Sequence, residues 1–133
     1  MCRIFLNFDQ VAEIESEEIL KRFLLSVKDH YDPPNPLFIM EHTNGNRLYF
    51  GISPKGCYVS YIDASHEPPY YSSAGDPSSK RTSGYVEYMM SKDNHVTEIR
   101  QSKTISFDNL FQVILSFYNT GKRPKNIIEW QLD

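Results

Sequence analysis

The stretch Leu37-Phe38-Ile39-Met40-Glu41-His42-Thr43-Asn44-Gly45-Asn46-Arg47-Leu48-Tyr49-Phe50-Gly51-Ile52 decides the fold class. Two runs rich in β-branched, aromatic and aliphatic residues flank Asn44-Gly45, a pair in which both residues tolerate positive φ. The reading is a strand over 37–42, a tight turn, and a return strand over 47–52. Pro54-Lys55-Gly56 is a second turn. Cys57 to Ile62 then continues an antiparallel meander, with Cys57, Val59 and Tyr61 on one face and Tyr58, Ser60 and Ile62 on the other.

Upstream, Cys2 to Phe8 reads as a short strand. Ser16 has the chemistry of a helix N-cap, and Glu17 and Glu18 suit the positive end of the helix dipole. Ile19, Leu20, Phe23, Leu24 and Val27 recur at helical spacing and predict one buried face. Asp32-Pro33-Pro34-Asn35-Pro36 ends that helix, because proline lacks the N–H it would need. Downstream, 84–90 and 94–100 read as a hairpin turning around Lys92-Asp93. Ser106 caps a second helix with Asp108 in its first turn, and Gly121 followed by Pro124 closes it. Leu110, Phe111, Val113, Ile114, Leu115, Phe117 and Tyr118 make this helix apolar round most of its circumference, so it belongs on the sheet. Ile127 to Gln131 is a short last strand. The expected fold is α+β, a mainly antiparallel sheet of about six strands with two helices in the order β-α-β-β-β-β-β-α-β, one domain over residues 1–133.

Size and charge narrow the function. The chain has 133 residues, 40% hydrophobic and 14% aromatic, enough for a proper core. Its formal net charge is −3, which argues against nucleic-acid binding through a global basic field. The charge is unevenly spread: residues 1–32 are net acidic and residues 80–133 net basic. No apolar run approaches the ~20 residues of a membrane helix. The start lacks a signal-peptide pattern, and Cys2 and Cys57 form no close pair, so a cytoplasmic protein with reduced thiols is expected.

Catalytic and metal constellations are not evident. None of His30, His42, His66 and His95 has a His or Cys three or four residues away, so no metal site is expected, and no cofactor either. His66-Glu67-Pro68-Pro69 lacks the spacing and the Cys pair of the zinc deaminase signature. Cys57 as a nucleophile with His66 would make a small hydrolase, but a mid-strand cysteine is ordinarily packed and inert. The stretch from Asp63 to Ser83 holds Pro68, Pro69, Pro77 and Gly75, yet carries Tyr70 and Tyr71 together. A long loop bearing paired aromatics suits binding.

The C-terminal run Phe117-Tyr118-Asn119-Thr120-Gly121-Lys122-Arg123-Pro124-Lys125-Asn126-Ile127-Ile128-Glu129-Trp130 resembles the end of the first immunity-protein family of bacterial polymorphic toxin systems. Tyr58-Val59-Ser60-Tyr61-Ile62-Asp63 and Tyr70-Tyr71-Ser72-Ser73-Ala74-Gly75-Asp76 are similar to that family's central strand and following loop. The motif residues themselves read as holders of the fold: Gly121 ends the helix, Arg123 can bond its last carbonyls, and Trp130 covers the helix-sheet junction. The resemblance implies a cytoplasmic antitoxin, not an enzyme. It would bind a cognate toxin domain encoded by the adjacent gene, often of deaminase fold and acting on nucleic acid, with no direct nucleic-acid or membrane contact of its own. Whether it is a monomer or a dimer stays open. Asp63, His66, Glu67, Tyr70, Tyr71 and Asp76 are the expected toxin-binding residues, the acids imitating phosphates and the tyrosines anchoring. Asp63 and Asp76 equally suit turn and cap chemistry, and one of the tyrosines suits packing against the sheet. A small-ligand-binding α+β module is the alternative; it predicts a deep apolar pocket.

Overall fold

The computed structural model describes residues 1–6, 9–29, 35–91 and 95–133, without the side chains of Met90, Ser91 and His95. Expectations for Phe8, His30, Pro33-Pro34 and Lys92-Asp93 lie outside the described residues. The elements are β1 (Cys2–Leu6), β2 (Asp9–Ile14), α1 (Glu17–Asp29), β3 (Leu37–His42), β4 (Arg47–Gly51), β5 (Tyr58–Ile62), β6 (Tyr71–Ser73), β7 (Tyr85–Ser91), β8 (His95–Arg100), α2 (Phe107–Thr120) and β9 (Trp130–Leu132). The class is α+β. One antiparallel sheet has seven strands in the order β2-β1-β3-β4-β5-β6-β9, and β7 and β8 pair in a small second sheet. The strand count exceeds the sequence-based expectation.

Both additional strands sit where sequence signals are weak. β2 alternates poorly, since Asp9, Gln10, Val11 and Glu13 are all exposed on the sheet edge and Ile14 alone is fully buried. β6 is three residues long and lies inside the proline- and serine-rich stretch. It forms because it fits between β5 and β9, pairing Tyr71 with Tyr61 on one side and with Leu132 on the other. The last strand accordingly begins at Trp130 rather than Ile127.

Registers put Ile4, Met40 and Leu48 in one row across β1, β3 and β4, and Phe38, Phe50 and Val59 in the next. These side chains face the helices and are buried with Leu20 and Leu24 of α1 and Leu110, Val113, Ile114 and Phe117 of α2. Each such burial contributes about 1.5–3 kcal/mol. The predicted face of α1 is rotated slightly: Ile19 is exposed, while Phe23 and Val27 are half-buried. Both helix starts follow the expected chemistry. The Ile19 N–H donates to Ser16 Oγ at 3.2 Å, and the Asn109 N–H to Ser106 Oγ at 3.1 Å. Gly121 takes φ 67° and donates its N–H to the Phe117 carbonyl at 2.7 Å, ending α2.

The β7-β8 hairpin covers part of the opposite face of the sheet. Tyr88 is fully buried there with Leu37 and Val86, and its hydroxyl donates to the Gly56 carbonyl at 2.8 Å. The ring lies directly on Gly51, where a Cβ atom would come within 2.3 Å of it. A glycine is therefore needed in β4 to let the hairpin approach.

Candidate partner-binding surface

Three connections meet at one end of the sheet: the β3-β4 turn, the β5-β6 loop, and the segment after α2. Two asparagines join them. Asn44 Nδ2 and Asn46 Nδ2 both donate to the Gly121 carbonyl, at 3.0 and 2.6 Å. Asn46 Oδ1 accepts the Ala64 N–H at 2.8 Å, and Asn44 Oδ1 accepts the Asn46 N–H at 2.9 Å. The orphan carbonyl that α2 leaves at its end is thus satisfied by the hairpin turn. Arg123, expected to serve that carbonyl, does not. Behind the turn, the Asn44 N–H donates to His42 Nδ1 at 3.1 Å, and the His42 ring meets Phe117 edge-on at 5.9 Å between centroids. Burial holds His42 below the usual histidine range, which keeps Nδ1 free to accept.

The β5-β6 loop, residues 63–70, is built by its own polar groups. Asp63 Oδ1 accepts the Ser65 N–H at 2.9 Å and the Ser65 hydroxyl. Those two bonds hold the Asp63 carboxyl below the usual carboxylate range. The His66 N–H donates to the Asp63 carbonyl at 3.0 Å, and His66 itself takes φ 60°. The Glu67 N–H donates to Ser65 Oγ at 3.2 Å, and the Tyr70 hydroxyl donates to the His66 carbonyl at 2.9 Å. His66 and Glu67 are exposed, and among the described residues neither their ring nor their carboxylate makes a hydrogen bond. The loop is ordered from within and leaves these side chains outward.

Of the six residues named from sequence, the structure brings Asp63, His66, Glu67 and Tyr70 together on this loop, with Tyr71 at its base. Tyr71 is half-buried in β6, and the Arg123 guanidinium lies 3.7 Å above its ring. Asp76 is elsewhere. It is 8% exposed, its Oδ2 accepts the Ser106 N–H at 2.7 Å, and its Oδ1 accepts from Asn109 Nδ2 at 3.0 Å. It strengthens the start of α2, so the cap chemistry open to it in sequence describes its place. Trp130 packs against the core as expected, and its Nε1–H donates to the Pro124 carbonyl at 2.6 Å.

Sequence reasoning missed the Gly121 partner of the two asparagines, the stacking of Arg123 on Tyr71, and a charged ladder on the other face of the sheet. Asn44-Gly45-Asn46 was readable as a turn, but its side-chain partners lie far along the chain. In the ladder, Arg3 and Arg47 both bond Glu41, the latter at 2.8 Å. The register places these three side by side.

Other chemistry finds little footing. Cys57 is buried, and burial pushes its thiol up to about 11. It precedes β5 while His66 follows it, roughly 20 Å away along a strand rising ~3.3 Å per residue. The hydrolase pairing therefore does not form. Among the described residues no three His, Cys, Asp or Glu side chains are placed to hold a metal ion. A cleft of about 610 Å³ beside β7 is open and lined by Asn35, Lys55, Glu87 and Glu98 as well as Tyr85 and Val86, not the deep apolar pocket that a ligand module predicts. No helix among the described residues is long and apolar enough to cross a membrane.

The geometry is that of an α+β protein whose distinctive polar side chains stand on connected loops and not around an enclosed cavity. A family model described as Immunity protein Imm1 matches residues 9–132, and the chain belongs to this family of immunity proteins. No curated protein matches it.

Proposed function

We propose that this protein acts in the cytoplasm, as one domain, to bind and neutralise a cognate toxin domain. The toxin we infer is of deaminase fold and acts on nucleic acid, and the immunity protein occludes its substrate cleft with the surface built by residues 63–71. Membership of an immunity-protein family supports the role. The observation that carries the choice of surface is the self-supported loop with outward His66 and Glu67. A loop already held by its own bonds loses little entropy on docking. A cleft that binds nucleic acid is basic, and the carboxylates of Asp63 and Glu67 complement it. Such complementarity speeds association, which an antitoxin needs. Tyr70 and Tyr71 supply apolar area at the centre.

The test is co-purification with the product of the adjacent upstream gene, followed by calorimetry at low and high salt and an activity assay of the toxin. Nanomolar binding that weakens with salt, with loss of toxin activity, is the expected result. Asp63→Asn with Glu67→Gln is expected to slow association and flatten the salt dependence. Binding that leaves the toxin fully active overturns occlusion. No binding to the product or to its C-terminal domain overturns the partner.

A further inference from the structure

Arg123 stands apart from the other arginines. Arg3 and Arg47 share Glu41, and Arg22 pairs with Glu18 one helical turn away. Arg81 and Arg100 are exposed. Arg123 is half-buried and lies over two rings, its guanidinium carbon 3.7 Å from the Tyr71 centroid and 5.7 Å from that of Trp130, the nearer a stacking distance. Among the described residues it has neither an ion pair nor a hydrogen bond. Stacking uses the face of a guanidinium and none of its five N–H donors, which all lie in its plane. A planar fork held by aromatic rings, without an acceptor, is the arrangement that receives a carboxylate through two parallel hydrogen bonds.

We infer that Arg123, laid on Tyr71 and flanked by Trp130, receives an acidic side chain of the protein partner at the centre of the interface. This deepens, and rests on, the toxin-binding reading of the same end of the molecule. The platform restricts the side chain before the partner arrives, so binding does not bear the ordering of a long, flexible residue. Arg, Tyr and Trp are also the residue types that dominate interface energetics. Local charge chooses the partner group. Burial and the Asp63 carboxylate push the Tyr61 hydroxyl up and the Arg123 guanidinium pulls it down, so both charges lie within electrostatic reach of that hydroxyl. A nucleic-acid backbone brought to Arg123 would meet Asp63 and Glu67 as well, whereas a protein can place a cation against those acids and an anion against Arg123. Paired opposite charges of this kind also set the orientation of docking.

The experiment uses the full chain and the toxin domain encoded by the adjacent gene. Arg123→Lys keeps the charge and loses the fork; Arg123→Gln loses both. Affinities are measured by calorimetry well below each variant's melting temperature, since Arg123 also packs on Tyr71 of β6 and Trp130 of β9. Expected are losses of about tenfold for the lysine variant and about thirtyfold or more for the glutamine variant. Arg123→Glu is then tested against toxin variants in which each interfacial Asp or Glu is changed in turn to Lys. Recovery of affinity by one such swap supports the inference, because a purely architectural arginine cannot be rescued from the partner. Wild-type binding with the lysine variant within about twofold of it overturns the inference and leaves the toxin-binding reading standing. Loss of affinity that no swap recovers overturns the carboxylate assignment. Absence of wild-type binding overturns the underlying reading itself, a result distinguishable from the other two.

Discussion

Two arginine centres on opposite faces of the sheet show how the same side chain serves two ends. On the face away from the helices, Arg3 and Arg47 converge on Glu41, and Arg3 also lies over Phe5 at 5.6 Å. On the helix side, Arg123 lies on Tyr71 without a carboxylate. The first centre is internally neutralised: burial alone would raise the Glu41 carboxyl, but bonds from Arg47 and Arg3 outweigh that and hold it below its ordinary value. The second has its packing partners and lacks its counter-charge. A charge satisfied within the chain holds the fold, and the charge laid on Tyr71 is the one we propose for recognition.

The largest effect that could break this contrast concerns the platform. Tyr71→Ala is expected to weaken toxin binding by at least ~2 kcal/mol in calorimetry, since it removes both an anchor and the support of Arg123. Unchanged affinity would remove Tyr71 from the interface. At the other centre, Glu41→Gln removes the counter-charge between two adjacent guanidiniums and replaces one of its two acceptor oxygens with an N–H donor. It is expected to lower stability by roughly 1–2 kcal/mol in urea denaturation and to leave toxin affinity unaltered. A loss of affinity there would mean that the ladder, too, meets the partner.

Acid sharpens the same distinction. The Glu41 carboxyl titrates lower in the folded chain than its reference value of 4.5, so the unfolded chain takes up this proton first. Its stabilising contribution is complete above that value and is lost as pH falls through the lower folded one. Melting temperatures of the wild type and Glu41→Gln should therefore differ near neutrality and converge in acid. Parallel curves down to the lowest pH would refute the role of Glu41.

Smaller effects test the scaffold between the centres. Asn46→Ala strands the Ala64 N–H and leaves Asn44 as the sole side chain on the Gly121 carbonyl. About 1 kcal/mol of stability should go with it, and association with the toxin should slow as the 63–70 loop loses its tether. Lys80 and Glu129 form an ion pair with both side chains largely in solvent. Lys80→Ala should leave the melting temperature unchanged within error, because solvent screens such pairs. A clear drop would show that the pair holds the segment after Pro124 more firmly than its exposure suggests.

Much of the fold was legible because its signals are local. Ser16, Ser106 and Gly121 set the ends of the helices through bonds that reach only three or four residues. Asn44-Gly45 turns the chain with its own dihedrals, Gly45 taking φ 90°. Alternation put Cys57, Val59 and Tyr61 on one face, which the structure turns towards the core, and the motif around Gly121, Arg123, Pro124 and Trp130 pointed to the family. Tertiary structure decided what depends on which distant segments meet. β6 is a strand only because β5 and β9 lie on either side, and the hairpin reaches the sheet only where Gly51 leaves room for Tyr88. The candidate surface divides in the same way. Asp63, His66, Glu67 and Tyr70 are neighbours in sequence and share a loop, whereas Asp76 follows them in the chain and is drawn off to α2. Arg123, which follows the second helix in the chain, reaches back to Tyr71. Composition and periodicity describe each residue's preference for water or core; a cation stacked on a ring is set by the path of the chain between them.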